Sequence, residues 1–258
     1  MDNQDRMASV KAHWESPNTV SLADQNLREL EASAIAAALP EGGRVLDMGC
    51  GDGVNSCRYA ERAASLLGID YSAQMIDRAK DRFADWSGAP VQLRQMDLSE
   101  LDTLPIDFNA VVSQRCLINL PDFDQQARAI AAVQRRLAPG GVFVMLECTE
   151  QGRANLNRLR EQAGLEPIAR PWHNTFFERE RLEELLAGLF TISAVRDFSL
   201  YYLVTRVMNP LLGLDHSDPW SKRLDEAGRR LQAMLGLEEL KGYGPQVLYV
   251  LTKAGRAG

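Results

Sequence analysis

No stretch of about 18 consecutive apolar residues occurs in the chain, so no segment of it predicts a membrane-spanning helix. The opening Met-Asp-Asn-Gln-Asp-Arg lacks the apolar core a secretory signal requires, and a cytoplasmic protein is expected. Basic residues are the minority: 29 Lys and Arg stand against 35 Asp and Glu, giving a net charge of −6. Nucleic acid and anionic membranes both reward a basic face, so neither is an expected partner. Arg135–Arg136 and Arg229–Arg230 are isolated pairs that read as solvated helix faces. The four cysteines, Cys50, Cys57, Cys116 and Cys148, form no C-x-x-C pair and no metal-ligand spacing, which argues against a disulfide framework and a bound metal. Reduced cysteines in core elements behave as small apolar side chains. Internal repeats and low-complexity segments are also missing.

What remains is an ordinary globular composition, 45% hydrophobic and 25% charged over 258 residues, enough for one α/β domain with elaborations. Residues 8–39 carry helical periodicity, with Ser21 or Asp24 as the cap of the longer helix. Strand and helix patterns then alternate. Strands are expected at Arg44–Met48, Ser65–Asp70, Val91–Gln95, Asn109–Ser113 and Gly141–Glu147, and helices near 54–64, 73–84 and 123–137. Such alternation implies right-handed crossovers and a mostly parallel sheet with helices on both faces. Beyond residue 150 the pattern loosens. Helices are expected at 153–164 and 178–189, an aromatic loop at 165–177, a β-like stretch over 191–204 and a last strand at 246–253. Two helices, near 207–213 and 217–236, would form an insertion between the last two strands. The expected organisation is thus one domain over 1–258: a helical cap (1–40), a cofactor-binding core (41–150) and acceptor-side elements (151–258) with a helical lid (207–242).

The most informative stretch is Val45-Leu-Asp-Met-Gly-Cys-Gly-Asp-Gly53. Its glycines let the backbone turn sharply and approach a ligand, as in a strand–loop–helix nucleotide site. Asp47 would repel a pyrophosphate at close range but suits a cationic ligand. Asp70 follows Gly53 at the spacing of a carboxylate that accepts two ribose hydroxyls, unless it only caps the next helix. Asp97 closes the third strand and reads either as a ligand contact or as a turn residue.

These motifs, in this order, resemble those of the class I S-adenosylmethionine (SAM)-dependent methyltransferases, of the bacterial small-molecule type. The resemblance covers residues 44–147. It implies a Rossmann-like seven-stranded sheet and SAM as cofactor, with Asp47, Gly49, Cys50, Gly51, Asp70, Tyr71, Met75, Asp97, Leu98, Ser113, Gln114 and Arg115 around it. Asp97 and Leu98 would meet the adenine, and Arg115 the cofactor carboxylate. Trp14 and the 24–29 segment would close over it, as N-terminal helices do in the family.

Methyl transfer needs an acceptor aimed at the methyl and a base for its proton. Arg170–Glu178 is the richest source of such groups, and His173 has a suitable pKa. Glu147 is the second base candidate, and could equally hold a backbone amide or orient His173. Trp172, Asn174, Tyr201, Tyr202 and Arg206 are the expected acceptor contacts, and His13 and His216 are read as surface residues. The resulting expectation is methylation of an oxygen or nitrogen on a small-molecule or glycan-like metabolite, with a homodimer left open. The alternatives are non-methyl chemistry on the same fold (carboxy-SAM synthase or aminopropyltransferase type) and a non-catalytic SAM-binding protein.

Overall fold

The computed structural model describes residues 3–16, 19, 22–215, 217–235 and 240–254. Seven strands form one sheet: β1 (Gly43–Met48), β2 (Ala63–Asp70), β3 (Val91–Gln95), β4 (Phe108–Gln114), β5 (Leu137–Cys148), β6 (Thr191–Asp197) and β7 (Gln246–Thr252). Their order is β3-β2-β1-β4-β5-β7-β6. All neighbours run parallel except β7, which pairs antiparallel with both β5 and β6. The strand order reverses between β1 and β4, and a crevice opens beyond the carboxyl ends of strands at such a point. Val45, Leu46 and Met48 on β1 and Val111 and Val112 on β4 are fully buried, the signature of strands covered on both faces.

The helices are set by their caps. Helices α1 (Asn3–Trp14) and α2 (Gln25–Ala38) precede the sheet, and the Asp24 carboxylate accepts the Leu27 N–H to start α2. Ser21 lies outside the described residues. Helix α3 is only Ser56–Ala60, shorter than the expected 54–64. The Gly42 N–H bonds the Arg62 carbonyl and Gly43 already pairs with Ala63, so sheet pairing claims the chain before another helical turn fits. Helices α4 (Ala73–Arg82), α5 (Phe123–Arg136) and α6 (Glu150–Gln162) begin on Ser72, Asp122 and Thr149 caps. Helix α7 (Arg179–Leu189) lies where the sequence indicates it.

The β-like reading of 191–204 fails beyond Asp197. There the Asp197 carboxylate accepts the Ser199 N–H and turns the chain. Helix α8 (Ser199–Leu203), a π-helical turn (Val204–Met208) and α9 (Asn209–Leu211) follow without a break. Phe198, Tyr201, Tyr202, Val204 and Val207 are buried at helical rather than alternating spacing. The long helix of the insertion, α10 (Pro219–Met234), starts on an Asp218 cap.

Candidate functional site

The glycine loop leaves β1 at Gly49. Gly49, Gly51 and Gly53 all have positive φ, at 66°, 54° and 75°, which a side-chain-bearing residue adopts at a cost. Below the loop Asp47 is buried, its Oδ2 accepting from the Ser56 hydroxyl at 2.6 Å. Burial pushes its carboxyl up to about 7, against the opposing Ser56 bond. At the end of β2, Asp70 Oδ2 accepts the Gly51 N–H at 3.0 Å and Oδ1 the Ser72 N–H at 2.9 Å. One carboxylate thus fixes both the loop and the start of α4. Burial raises its pKa.

A cavity of about 460 Å³ opens at these strand ends. Gly49, Gly51, Asp70, Tyr71, Met75, Asp97, Leu98, Gln114 and Arg115 line it, so nine of the twelve expected cofactor residues share one wall. The other three lie behind it. Asp47 and Ser113 are buried under the loop, and the Cys50 thiol turns toward β2, 3.1 Å from where a Cβ on Gly68 would stand. Their role in the site is support of the residues that reach the cavity.

Asp97 caps the 3₁₀ turn Leu98–Thr103 while its other oxygen pairs with Lys11 at 2.7 Å. Burial raises its pKa, but Lys11 and the Ser99 bonds outweigh that and leave it lowered. Lys11 belongs to α1, which also bonds across the cavity rim through Trp14 Nε1 to Asn119 Oδ1 and through the Val10 carbonyl, which accepts from the Tyr71 hydroxyl. The N-terminal helix therefore lies along the cavity rim; of the segments expected to close over it, Trp14 lines the cavity and residues 24–29 do not. Arg115 follows β4 with a φ of 52°, and its guanidinium lies 3.2 Å from the fully buried Glu31 on α2.

Glu147 does not reach the cavity. It is fully buried, and its Oε1 accepts from the Ser113 hydroxyl and the Cys116 and Leu117 amides, its Oε2 from the Ile118 amide. Those bonds hold the loop after β4 and leave no free oxygen facing an acceptor. Of the readings open for Glu147, the hydrogen bonds are those of a residue that holds backbone amides, and it does not face the cavity as a base would.

His173 and Asn174 do line the cavity, with Tyr202 and Arg206. His173 Nδ1 is buried without a hydrogen-bond partner. Its ring stacks on His13 at 4.6 Å between centroids and meets the edges of Trp14 and Trp172. Burial first, then the neighbouring His13, lowers its pKa. Trp172 packs in this aromatic group but is 55% exposed and does not line the cavity. Tyr201 is fully buried, its hydroxyl donating to Asp24 at 2.7 Å, so it supports Arg206, which bonds the other Asp24 oxygen at 2.6 Å. The expectation of His13 as a surface residue is overturned, because α1 folds its side chain into the cavity wall. His216 lies outside the described residues.

Sequence reasoning assigned no site role to Arg153, Leu156, Ile168, Phe176 and Gln246, which are among the further residues of the wall. Leu156 is one turn of α6 beyond Arg153, a helical spacing that could have flagged the pair. Gln246 has no such signal: it reaches the cavity because β7 inserts between β5 and β6.

The residues present fit SAM. A Cβ on Gly51 would meet nothing within 4 Å and would project into cavity space a cofactor must enter. The Asp70 carboxylate stands beside it as an acceptor for hydroxyls, and no phosphate-binding cation lies on the loop. Fold and cavity together define a class I SAM site.

Comparison with known proteins agrees. Residues 45–141 match the methyltransferase domain family. The chain is similar to phosphatidylethanolamine N-methyltransferase of Cereibacter sphaeroides, at 31% identity over 52% of this chain and 65% of that protein. It therefore spans less than two thirds of that relative's length. It is also similar to malonyl-[acyl-carrier protein] O-methyltransferase of Enterobacter lignolyticus, at 28% identity over 88% of each chain. Among solved structures, the N-methyltransferase NodS from Bradyrhizobium japonicum in complex with S-adenosylhomocysteine (SAH) matches with a TM-score of 0.59 and 18% identity, covering 98% of this chain and 99% of that one, a likeness of fold. Residues 45–141 thus carry a methyltransferase domain, and the chain shares the fold of the class I SAM-dependent methyltransferases.

Proposed function

We propose that this protein transfers a methyl group from SAM to an oxygen or nitrogen of a small acceptor, and that His173 takes the acceptor's proton. The observation that carries this reading is continuity. One cavity is walled by the glycine loop and Asp70 and also by Arg153, Leu156, Ile168, His173 and Arg206 from the acceptor-side elements. Bound there, SAM supplies a methyl on a sulfonium, open to in-line attack by a lone pair. Asp70 and the Gly51 backbone fix the ribose end, so that displacement depends on how the acceptor is held.

The acceptor half is mostly apolar, with Leu22, Leu156, Ile168 and Phe176 in its wall. That lining suits an acceptor with an apolar body better than a bare glycan. Arg153 and Arg206 are the cations within reach of a polar or acidic end. His173 offers an unpartnered Nδ1, and its lowered pKa keeps the imidazole neutral and able to accept a proton near neutrality. In that transfer His173 would take the proton the acceptor gives up, its Nδ1 becoming an N–H. Trp14 and α1 exclude water from that step.

The test is incubation with methyl-labelled SAM and a panel of small hydroxyl and amine acceptors carrying apolar bodies. Label should pass to one acceptor class, and His173→Gln should lose turnover while keeping SAH affinity. Label retained on the cofactor product, or full turnover in the variant, would overturn the reading.

A further inference from the structure

Large apolar side chains exposed on this protein are not scattered. Among the described residues seven of nine fall between 208 and 235, on the insertion that carries α9 and α10. The orientation of α10 is fixed by its inner face. Asn209 Nδ2 donates to the Ser221 hydroxyl and to Asp225, Gly228 packs against Val204, and Gln232 bonds both the Tyr201 N–H and the Asp197 carbonyl. The sides of the helix away from those contacts are therefore turned outward. There Trp220, Ala227, Leu231 and Met234 recur at intervals of seven, four and three residues, a single helical stripe. Trp220 is 63% and Met234 77% exposed.

Arg223 and Arg230, themselves seven apart, run along one flank of that stripe. Arg223 lies over the Trp220 ring at 5.1 Å, and Arg230 is 71% exposed. The helix carries four basic side chains against two acidic ones, of which Asp225 faces inward to Asn209 and Glu226 is shared by Arg229 and Arg230. Asp215 and Asp218 precede the helix, so the insertion is not basic as a whole, but along the outward ridge of α10 the apolar stripe is flanked by Arg223 and Arg230.

We propose that the outward face of α10 docks in the plane of an anionic lipid surface. An apolar stripe with Trp at one end and arginines beside it is the arrangement of an interfacial helix, with the guanidinium groups at headgroup level. No helix among the described residues is long and apolar enough to cross a membrane, so the contact is peripheral. A second copy fits less well. Two such helices packed antiparallel about a twofold axis would set each arginine flank against its own copy. An acidic protein would have to grip a convex ridge with no groove for its side chains, whereas a fluid interface conforms to one.

The experiment is co-sedimentation of the full chain with phosphatidylcholine vesicles, with and without phosphatidylglycerol. The protein should sediment with the anionic vesicles and bind pure phosphatidylcholine about tenfold more weakly or less, and added salt should release it. Leu231→Ser with Met234→Ser, and separately Arg223→Gln with Arg230→Gln, should each weaken anionic-vesicle binding about tenfold or more, with SAH affinity unchanged. No sedimentation with anionic vesicles would overturn the proposal. So would binding that neither variant alters, or a dimer on size exclusion that Leu231→Ser with Met234→Ser converts to monomer while vesicles bind neither form.

Discussion

Replacing Glu147 separates a scaffold role from a catalytic one, because its two oxygens carry unequal loads. Oε1 accepts three donors, from Ser113 (2.5 Å), Cys116 (3.2 Å) and Leu117 (3.0 Å), and Oε2 accepts one, from Ile118 (3.2 Å). Glu147→Gln can place its carbonyl where Oε1 stood and keep three of the four bonds. Its amide nitrogen then faces the Ile118 N–H, one buried donor loses its acceptor, and the cost should be about 1–2 kcal/mol. Glu147→Ala strands all four donors and leaves a cavity, for a loss of roughly 3–5 kcal/mol. Urea unfolding of the ligand-free protein measures both. The wild type adds a pH signature. Burial raises the Glu147 pKa to about 7, so its contribution to stability is full below the ordinary carboxyl value and is lost as pH rises through about 7. The Gln variant should flatten that dependence, apart from the similar share owed to Asp47. An Ala variant within about 1 kcal/mol of wild type would refute the scaffold assignment. A Gln variant of undiminished stability that cannot transfer methyl would return Glu147 to the role of base.

Two other perturbations probe the cavity. Gly51→Val should fold with a loss of about 1–2 kcal/mol, since its φ of 54° strains a β-branched residue; its side chain would fill open cavity space, so SAH affinity should fall by roughly 100-fold or more on calorimetry. Retained affinity would mean that the cofactor lies elsewhere. For His173, NMR titration should find an imidazole that protonates below its ordinary value, with the stability it contributes present at higher pH and lost as pH falls through that lowered pKa. His13→Phe keeps a stacked ring but removes the neighbouring imidazole, and should move the His173 pKa back up; no movement would leave burial as the whole cause.

The donor half was legible in the sequence because its determinants are local. A glycine loop, a capping serine and a carboxylate at a strand end each act within a few residues of where they are written. Asp70 illustrates it: the same residue closes β2, starts α4 and holds Gly51. The acceptor half depends on contacts far apart in the chain. His13 reads as a surface residue until α1 folds back and stacks it on a ring 160 positions away. Glu147 at a strand end reads equally as a base or as the holder of a backbone amide, and nothing in its sequence neighbourhood decides between them, because the three amides that converge on it come from 116–118. Residues 198–204 read as a strand because phenylalanine, tyrosine and valine favour one, and the Asp197 turn and packing of Tyr201 and Tyr202 decide otherwise.

The central claim is that the cavity holds SAM with its ribose on Asp70. Calorimetric titration of SAH into wild type and Asp70→Ala tests it most directly, with thermal unfolding as the control that the variant remains folded. Loss of charge-assisted hydrogen bonds to two hydroxyls should weaken binding by about 100-fold or more. Equal affinity in the two proteins would contradict the account.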